Sequence, residues 1–212
     1  MTWKGFKDIQ AKIEVDVTPS EEEILSKVNR SRRKNVNKAI RENLIAIEGK
    51  TNEEWNQWYE IYKKVCKEGG IEHDSLETYK IPASTLMLIK KDDKILGGGV
   101  FTETDDKLVW KAYASLIEFQ ELRVNDFLYW SGFVWAKKRG KKKVDLGGWQ
   151  IKARGHLNGI NNFKEQWGGE IIYYNIYSKS PLYILGRKAI RNSATTRWIW
   201  DRIKRRPKSK KN

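Results

Sequence analysis

The chain has 212 residues, 39% of them apolar and ten of them tryptophan, which is enough for one folded domain with a hydrophobic core. Its single cysteine, Cys66, excludes a disulfide framework, and with only two histidines the sequence offers no cluster of metal ligands. A net charge of +15 favours partners that carry phosphate, such as nucleic acids, nucleotide-sugars or lipid head groups. No apolar run approaches the roughly 18 residues of a membrane span, and the first ten residues lack a signal-peptide core. We therefore predict a cytoplasmic protein.

The first elements along the chain are a strand over residues 9–17, where apolar residues alternate, and a helix that follows Thr18-Pro19. Ser20 and Glu23 form a capping box that opens this helix. Its apolar residues fall on one stripe at helical spacing: Ile24, Leu25, Val28, Val36, Ala39 and Ile40. Basic residues occupy the opposite side: Arg30, Lys34, Lys38 and Arg41. The pattern predicts an amphipathic helix whose cationic front suits a phosphate-bearing partner.

A second capping box, Thr51 with Glu54, opens the next predicted helix, which Gly69-Gly70 ends. Its apolar stripe is rich in aromatics: Trp55, Trp58, Tyr59, Tyr62, Val65 and Cys66. Aromatic residues at this spacing are typical of a packed core. Cys66 belongs to the same stripe and has no base beside it, so it is not predicted to be a nucleophile.

Three strands are predicted next, over 85–91, 94–103 and 107–116. The paired aspartates between them are turn signals, so the strands should form an antiparallel meander. A helix capped by Asn125 follows and is apolar around much of its circumference, which predicts burial. It ends at Arg139-Gly140, before a buried strand over 142–147, a glycine break, a short helix and a further strand over 171–177.

Three segments resemble the Fem family of peptidoglycan-bridge aminoacyltransferases, which are built from acetyltransferase-like (GNAT) domains. SEEEILSKVNRSRRKNVNKAIREN (20–43) looks like the basic helix that leads into the family's second domain. NDFLYWSGFVWAKKRGKKKVDLGG (125–148) looks like its central helix and following strand. GINNFKEQWGGE (159–170) looks like its Phe-Lys element. The resemblance therefore covers the second domain only and leaves a first domain as an expected missing partner.

The predicted order of elements agrees with this resemblance, because helix, meander, buried helix, strand, helix and strand is the order of an acetyltransferase domain. We predict an α/β (α+β) fold with a GNAT-like mixed sheet flanked by helices. Residues 1–50 would be a lead-in strand and basic helix, a remnant of a first domain. Residues 51–180 would be the GNAT-like acyltransferase domain, and 181–212 C-terminal helices with a basic tail.

Lys164 and Asp145 are the predicted catalytic residues. Lys164 matches the lysine of the Phe-Lys element, and the resemblance implies a role near the tRNA end and the developing charge of the reaction. An ammonium group suits that role as a positive point charge, although an ordinary exposed helix lysine fits the pattern equally well. Asp145 ends the buried strand and could orient or deprotonate an acceptor amine. The alternative for Asp145 is a structural carboxylate that caps the turn at 147–149.

Six further residues are predicted to bind substrate. Phe163 precedes the matched lysine, Arg154 could hold a phosphate or carboxylate, and Trp149 could stack on a sugar or base, although a place in the core is its alternative. Arg30, Lys34 and Lys38 form the cationic helix front. His156 is interpreted as a surface histidine.

The loop before the central helix indicates which kind of acyl donor the chain uses. Coenzyme A-dependent acetyltransferases carry an R/Q-x-x-G-x-G/A loop before the central helix, whose backbone amides cradle the pyrophosphate. This chain has QELRVNDFL there, without a glycine. The resemblance implies aminoacyl-tRNA as donor, with no cofactor, and an amine of a peptidoglycan or related envelope precursor as acceptor. The alternatives are an acyl-coenzyme A-dependent N-acyltransferase and a non-catalytic RNA- or membrane-binding module.

The C-terminal tail, residues 197–211, combines Trp198, Ile199, Trp200 and Ile203 with a run of Lys and Arg. This composition suits contact with an anionic membrane surface. It predicts that a cytoplasmic protein of this composition could bind peripherally to the inner face of the membrane.

Overall fold

A computed structural model describes residues 5–70 and 72–192, with the side chains of His156 and of 189–192 outside that description; the predicted tail at 197–211 also lies outside it. A 3₁₀ helix spans Ile117–Leu122. The other elements, in chain order, are β1 (Phe6–Asp16), α1 (Glu21–Lys27), α2 (Arg30–Arg41), β2 (Ile45–Gly49), α3 (Asn52–Glu68), α4 (Leu76–Tyr79), β3 (Ser84–Lys91), β4 (Lys94–Glu103), β5 (Lys107–Ser115), α5 (Val124–Lys138), β6 (Lys143–Trp149), α6 (His156–Glu165), β7 (Glu170–Ser178) and α7 (Pro181–Asn192).

The strands form one mixed sheet in the order β2-β3-β4-β5-β6-β1-β7, so the predicted mixed α/β class is confirmed. The chain divides into two compact units. The larger unit comprises Ile13–Gly147 and Lys164–Glu170, and the smaller unit comprises Met1–Lys12, Gly148–Phe163 and Ile171–Asn212. The predicted boundaries after residues 50 and 180 stay a prediction. Within the described part of the chain, no helix has the length and apolar character that crossing a bilayer requires.

The antiparallel meander is confirmed in the larger unit. β3 pairs with β4 and β4 with β5, with turns at the two predicted aspartate pairs. Gly98 lets α3 approach the sheet, since a Cβ there would lie 2.5 Å from the Met87 carbonyl O and 3.0 Å from the Trp58 ring. The core cluster between α3 and the sheet consists of Trp55, Trp58, Tyr79, Leu86, Leu88, Val100 and Ala112. The aromatic stripe of α3 is thus confirmed as core.

The helix predicted from Ser20 onwards is wrong as a single element, because it is two helices. The predicted capping box opens α1. Val28 then takes an extended conformation with ψ 140°, and the Asn29 side chain accepts a hydrogen bond from the Ser31 backbone N–H, which starts α2. The Asn29 backbone N–H donates to the Gln166 carbonyl at 2.8 Å. A tertiary hydrogen bond therefore replaces a helical one at the break.

The predicted cap of α5 is also wrong, because Asn125 lies inside the helix. Arg123 precedes the helix with a left-handed φ of 62°, and no side chain caps the first turn. The turn is instead closed by the backbone, where the Phe127 N–H donates to the Arg123 carbonyl at 3.0 Å. Burial around the helix is confirmed, since Leu128, Tyr129 and Phe133 are fully buried.

An ion pair joins α2 to α5. Arg32 Nη1 donates to Asp126 Oδ1 at 2.9 Å, and Asn35 Nδ2 donates to Oδ2 at 3.1 Å. Only 7% of the Asp126 side chain and 22% of the Arg32 side chain are exposed. Burial raises the pKa of Asp126 above its ordinary value of 3.8, while the Arg32 charge opposes that rise. Arg32, one of the basic residues of α2, is therefore a structural partner of Asp126.

Arg32→Met is expected to lower the free energy of unfolding at neutral pH by about 2 kcal/mol, because it leaves a buried carboxylate without its ion-pair partner. A raised folded-state pKa means that stability falls as pH rises from the unfolded pKa through the folded one. Removing Arg32 raises the folded pKa further and deepens that fall. The loss should therefore shrink as pH drops below 3.8, where Asp126 is protonated in both states. Urea titrations at several pH values, with the exposed Arg30→Met as control, measure it; a pH-independent loss would contradict the ion-pair account.

Candidate active site

The site begins where two parallel strands part. β5 and β6 pair only at Lys107 with Lys143, Leu108 with Val144, and Val109 with Asp145, although β5 continues to Ser115. Beyond Val109 and Asp145, no pair forms between these strands in the described chain. The two strands therefore separate beyond this pair, which leaves a gap at the end of β6 although neither strand is broken.

Asp145 and Gly147 shape the chain at that gap. Asp145 is 6% exposed, and its Oδ1 accepts a hydrogen bond from the Gly147 N–H at 2.8 Å. Gly147 has φ +78°, a conformation that glycine adopts without strain. The strand runs on to Trp149, so the predicted glycine break is a local change of direction. Asp145 thus makes a local hydrogen bond to the backbone, as its structural alternative expects, although 147–149 belongs to the strand and not to a turn; its catalytic role stays a prediction.

Lys164 reaches the same point from the last turn of α6. A Cβ built at Gly147 would lie 3.7 Å from Lys164 Nζ and 4.0 Å from the Trp110 carbonyl O. Lys164 is only 8% exposed, so it is not the ordinary exposed lysine that the sequence also allowed. Burial lowers the pKa of Lys164 below its ordinary value, and the Asp145 charge opposes that shift. The two predicted catalytic residues are therefore coupled at the parting of the strands.

An aromatic stack supports this region of the larger unit. Trp110 of β5 stacks on Tyr129 of α5 with ring centroids 4.7 Å apart, and Tyr129 stacks on Trp167 at 5.3 Å. Burial raises the pKa of the Tyr129 phenol, so the hydroxyl stays protonated. This stack could not be predicted from the sequence, because its rings come from β5, from α5 and from the turn after α6. Each ring alone looks like an ordinary core residue.

The chain that follows α6 packs against the junction of helices α1 and α2. Gly168 has φ +75°, and a Cβ there would lie 2.8 Å from the Lys27 carbonyl O. Gly169 packs as closely against Ile13 and Glu14. No larger residue fits these contacts without displacing backbone, so Gly168 and Gly169 are required for packing as well as for ending α6. It holds the end of α6 against the junction of α1 and α2.

The basic front of α2 is present on the larger unit. Arg30 and Lys34 are exposed, while Lys38 is half-buried and lies 3.9 Å from Glu121. The first turn of α2 contains no acidic residue and begins with Arg30, Arg32 and Arg33. Cations at a helix N-terminus oppose the helix dipole, so this arrangement costs stability unless an anion is bound. Arg32 does not belong to the front, because it turns inward to Asp126.

Three other predicted substrate residues belong to the smaller unit, so their relation to Lys164 stays a prediction. Trp149 is half-buried and meets Tyr173 edge-on at 6.4 Å, whereas Arg154 is exposed and Phe163 half-buried. The loop that carries Arg154 is fixed by Asn161, which is 2% exposed. Its side chain accepts from the Gln150 N–H and donates to the Gln150 carbonyl, both at 2.9 Å. No spacing pattern in the sequence indicates this clamp.

Comparison with known proteins identifies the fold. No protein-family model and no curated protein matches the chain. Among solved structures, FemX superposes with a TM-score of 0.71 at 13% identity, covering 87% of this chain and 65% of FemX. L-PGS from Bacillus licheniformis gives 0.63 at 12% identity, covering 84% of this chain and 65% of that chain. The C-terminal domain of a putative lysylphosphatidylglycerol synthetase from Agrobacterium fabrum gives 0.61 at 10% identity, covering 84% and 63%.

The chain therefore has the fold that FemX and these synthetase structures share, which confirms the resemblance at the level of structure. It spans slightly less than two thirds of the length of each of these three structures.

Proposed function

We propose that this chain is an aminoacyltransferase of the Fem type, which transfers an aminoacyl group from aminoacyl-tRNA to an amine of a peptidoglycan or related envelope precursor. The observation that carries the proposal is the buried Lys164, coupled to Asp145 where β5 and β6 part. The likeness to FemX and to proteins named for lysylphosphatidylglycerol synthesis supports aminoacyl transfer as the kind of reaction. An aminoacyl-tRNA donor places the chain in the cytoplasm, with a peripheral position at the membrane for an envelope acceptor.

The reaction requires alignment and charge stabilisation more than a strong base. The acceptor amine attacks the ester carbonyl, a C–N bond forms, the ester C–O bond breaks, and the amine proton passes to the leaving ribose oxygen. Negative charge develops first on the carbonyl oxygen and then on that leaving oxygen. The Lys164 ammonium would stabilise it in a site that water hardly reaches, where a fixed positive charge is most effective.

Asp145 has two roles in the proposed reaction. Its hydrogen bond to the Gly147 N–H fixes the turn beside Lys164 Nζ. Its charge favours the protonated form of Lys164, which burial opposes. Asp145 would therefore keep the ammonium charged as well as orient the acceptor amine, and the structural and catalytic alternatives become parts of one role.

The donor class is supported by the N-terminus of α5. The 3₁₀ helix at Ile117–Leu122 occupies the place where coenzyme A-dependent members have a glycine-rich loop. We therefore favour an ester donor without coenzyme A, with the acyl-coenzyme A-dependent enzyme and the non-catalytic module as alternatives.

Calorimetry tests the donor class. The chain is titrated with acetyl-coenzyme A and, separately, with a tRNA that carries its amino acid through a non-hydrolysable amide. We expect micromolar binding of the charged tRNA and none of acetyl-coenzyme A. Micromolar binding of acetyl-coenzyme A would overturn the donor assignment. Binding of the tRNA analogue by a chain that transfers nothing from an ordinary ester-linked aminoacyl-tRNA would favour the non-catalytic module.

The front of α2 is proposed as a tRNA contact. Reversing Arg30, Lys34 and Lys38 to Glu should weaken tRNA binding and flatten its salt dependence, each lost phosphate contact removing ~0.9 from the logarithmic slope. Affinity measured over a salt series checks this expectation.

The matched control reverses Lys63, Lys64 and Lys67 on α3, which changes the net charge by the same amount on another helix. An equal loss in the control would show a general charge effect and contradict a defined contact.

A further inference from the structure

The smaller unit carries an apolar surface that its own core leaves uncovered. Helix α7 is well started, since Pro181 is its first residue and the Tyr183 N–H donates to Ser180 Oγ at 3.3 Å. Ile184 is 3% exposed and packs inward, whereas Leu182 and Leu185 are 77% and 60% exposed. A helix on an aqueous surface normally turns such residues to the core. Here the two leucines lie three residues apart on the outer side.

Helix α7 is held in this orientation by a buried charge. Arg187 Nε donates to Asp8 Oδ2 at 3.4 Å, and Asp8 is 1% exposed. The Arg187 guanidinium also lies 5.7 Å from the centre of the Tyr183 ring. Rotating the helix to bury the leucines would break the ion pair and leave the Asp8 carboxylate without this cation, which is costly. The outward leucines are therefore a fixed feature of the fold.

The segment that carries this surface contains basic residues and no acidic one. Residues 171–192 contain four basic residues, Lys179, Arg187, Lys188 and Arg191, and no acidic residue. Lys179 and Lys188 are exposed and flank the leucines in the sequence. The strand that leads into α7 exposes Tyr173 by 59% and Tyr177 by 49%. Lysine is depleted in protein–protein interfaces, whereas basic residues beside Leu and Tyr are typical of helices that lie in a lipid interface.

We propose that α7, with the strand end before it, is a membrane-binding surface that places Leu182 and Leu185 at the head-group boundary of an anionic phospholipid bilayer. Lys179 and Lys188 would contact the anionic head groups. This inference goes beyond the proposed reaction and stands independently of it. It assigns membrane contact to a folded helix rather than to the basic tail alone.

Vesicle sedimentation of the full chain tests the proposal. The probes are vesicles of phosphatidylcholine alone and of phosphatidylcholine mixed with phosphatidylglycerol. We expect binding to the mixed vesicles that weakens with salt, and the double change Leu182→Ser with Leu185→Ser should reduce it by at least about tenfold. The control is Ile117→Ser, which removes an apolar side chain of the larger unit that is 62% exposed; its binding should equal that of wild type.

A second measurement does not depend on loss of binding. Leu185→Cys is labelled with a polarity-sensitive fluorophore, since the natural Cys66 is buried. Mixed vesicles should shift its emission to the blue, whereas the same label at Ile117→Cys should not respond.

Three results would overturn the proposal. One is binding by the leucine double variant equal to wild type, which would leave the tail or another basic surface as the membrane contact. Another is an unshifted label at position 185 on vesicles that have bound the chain. The last is a wild-type dimer that the double variant makes monomeric, which would assign α7 to a second copy.

Discussion

Lys164→Met is expected to lower the rate of aminoacyl transfer by ~10²-fold or more, as removal of one oxyanion donor does in other enzymes. Methionine fills a similar volume in a site that is only 8% exposed, so the chain should remain folded. The change removes both the cost of burying an ammonium and its attraction to Asp145, and these effects on stability oppose each other. Single-turnover rates and urea unfolding measure the two expectations. Near-wild-type turnover would remove Lys164 from the mechanism.

Two controls sharpen this test. Lys67→Met removes an exposed lysine of α3 and should leave the rate unchanged. Lys164→Arg should not restore full activity, because a planar guanidinium replaces a compact ammonium. If the protonated form is active, the wild-type rate should fall as pH rises through the lowered pKa of Lys164. The residual rate of the arginine variant should lack that fall, since its guanidinium stays charged.

Gly168→Ala is expected to have the largest effect on stability, a loss of about 3 kcal/mol. The left-handed backbone costs a residue with a Cβ about 1–2 kcal/mol, and forcing an extra methyl into a packed contact costs about 1–3 kcal/mol. The new Cβ would lie 2.8 Å from the Lys27 carbonyl O and 3.0 Å from the Lys27 carbonyl carbon and Cβ. These atoms cannot move aside without the backbone, unlike the end of a flexible side chain. The variant should also disturb the bond from the Asn29 N–H to the Gln166 carbonyl, and with it the position of α2.

Gly140→Ala separates the two contributions. Gly140 has φ +69°, close to the value at Gly168, but no atom lies within 4 Å of a Cβ built there. The Gly140→Ala variant should therefore lose only about 1–2 kcal/mol in free energy of unfolding, which is the cost of the left-handed backbone alone. Free energies of unfolding from urea titrations give both values. Equal losses at the two positions would contradict the close contact at Lys27.

The sequence predicted the antiparallel meander and the order of elements along the chain well, because the relevant signals are local. Alternating apolar residues, paired aspartates and the capping boxes at Ser20 and Thr51 depend on neighbours in the chain. The helix break at Val28 was not predictable in this way. Its cause is the Gln166 carbonyl, far along the chain, which receives the Asn29 N–H. Helical spacing continues across the break and conceals it.

The candidate site was predictable in its residues but not in its physics. The resemblance indicated Lys164, and the end of the buried strand indicated Asp145. Spacing alone could not show that Lys164 is buried or that Asp145 influences its pKa. The inward turn of Arg32 toward Asp126 was hidden for the same reason, since one basic residue on α2 looks like the next. The outward leucines of α7 depend on a buried partner, Asp8, at the other end of the chain.

Transfer of an aminoacyl group to an amine beside Lys164 is tested most directly by a single-turnover experiment. The full chain is incubated with tRNA charged with radiolabelled amino acids and with nucleotide- or lipid-linked peptidoglycan precursors. We expect label in the precursor through a bond that survives mild base, because an amide resists hydrolysis that cleaves an ester. Transfer of label only from acetyl-coenzyme A, or only into base-labile lipid ester, would contradict it.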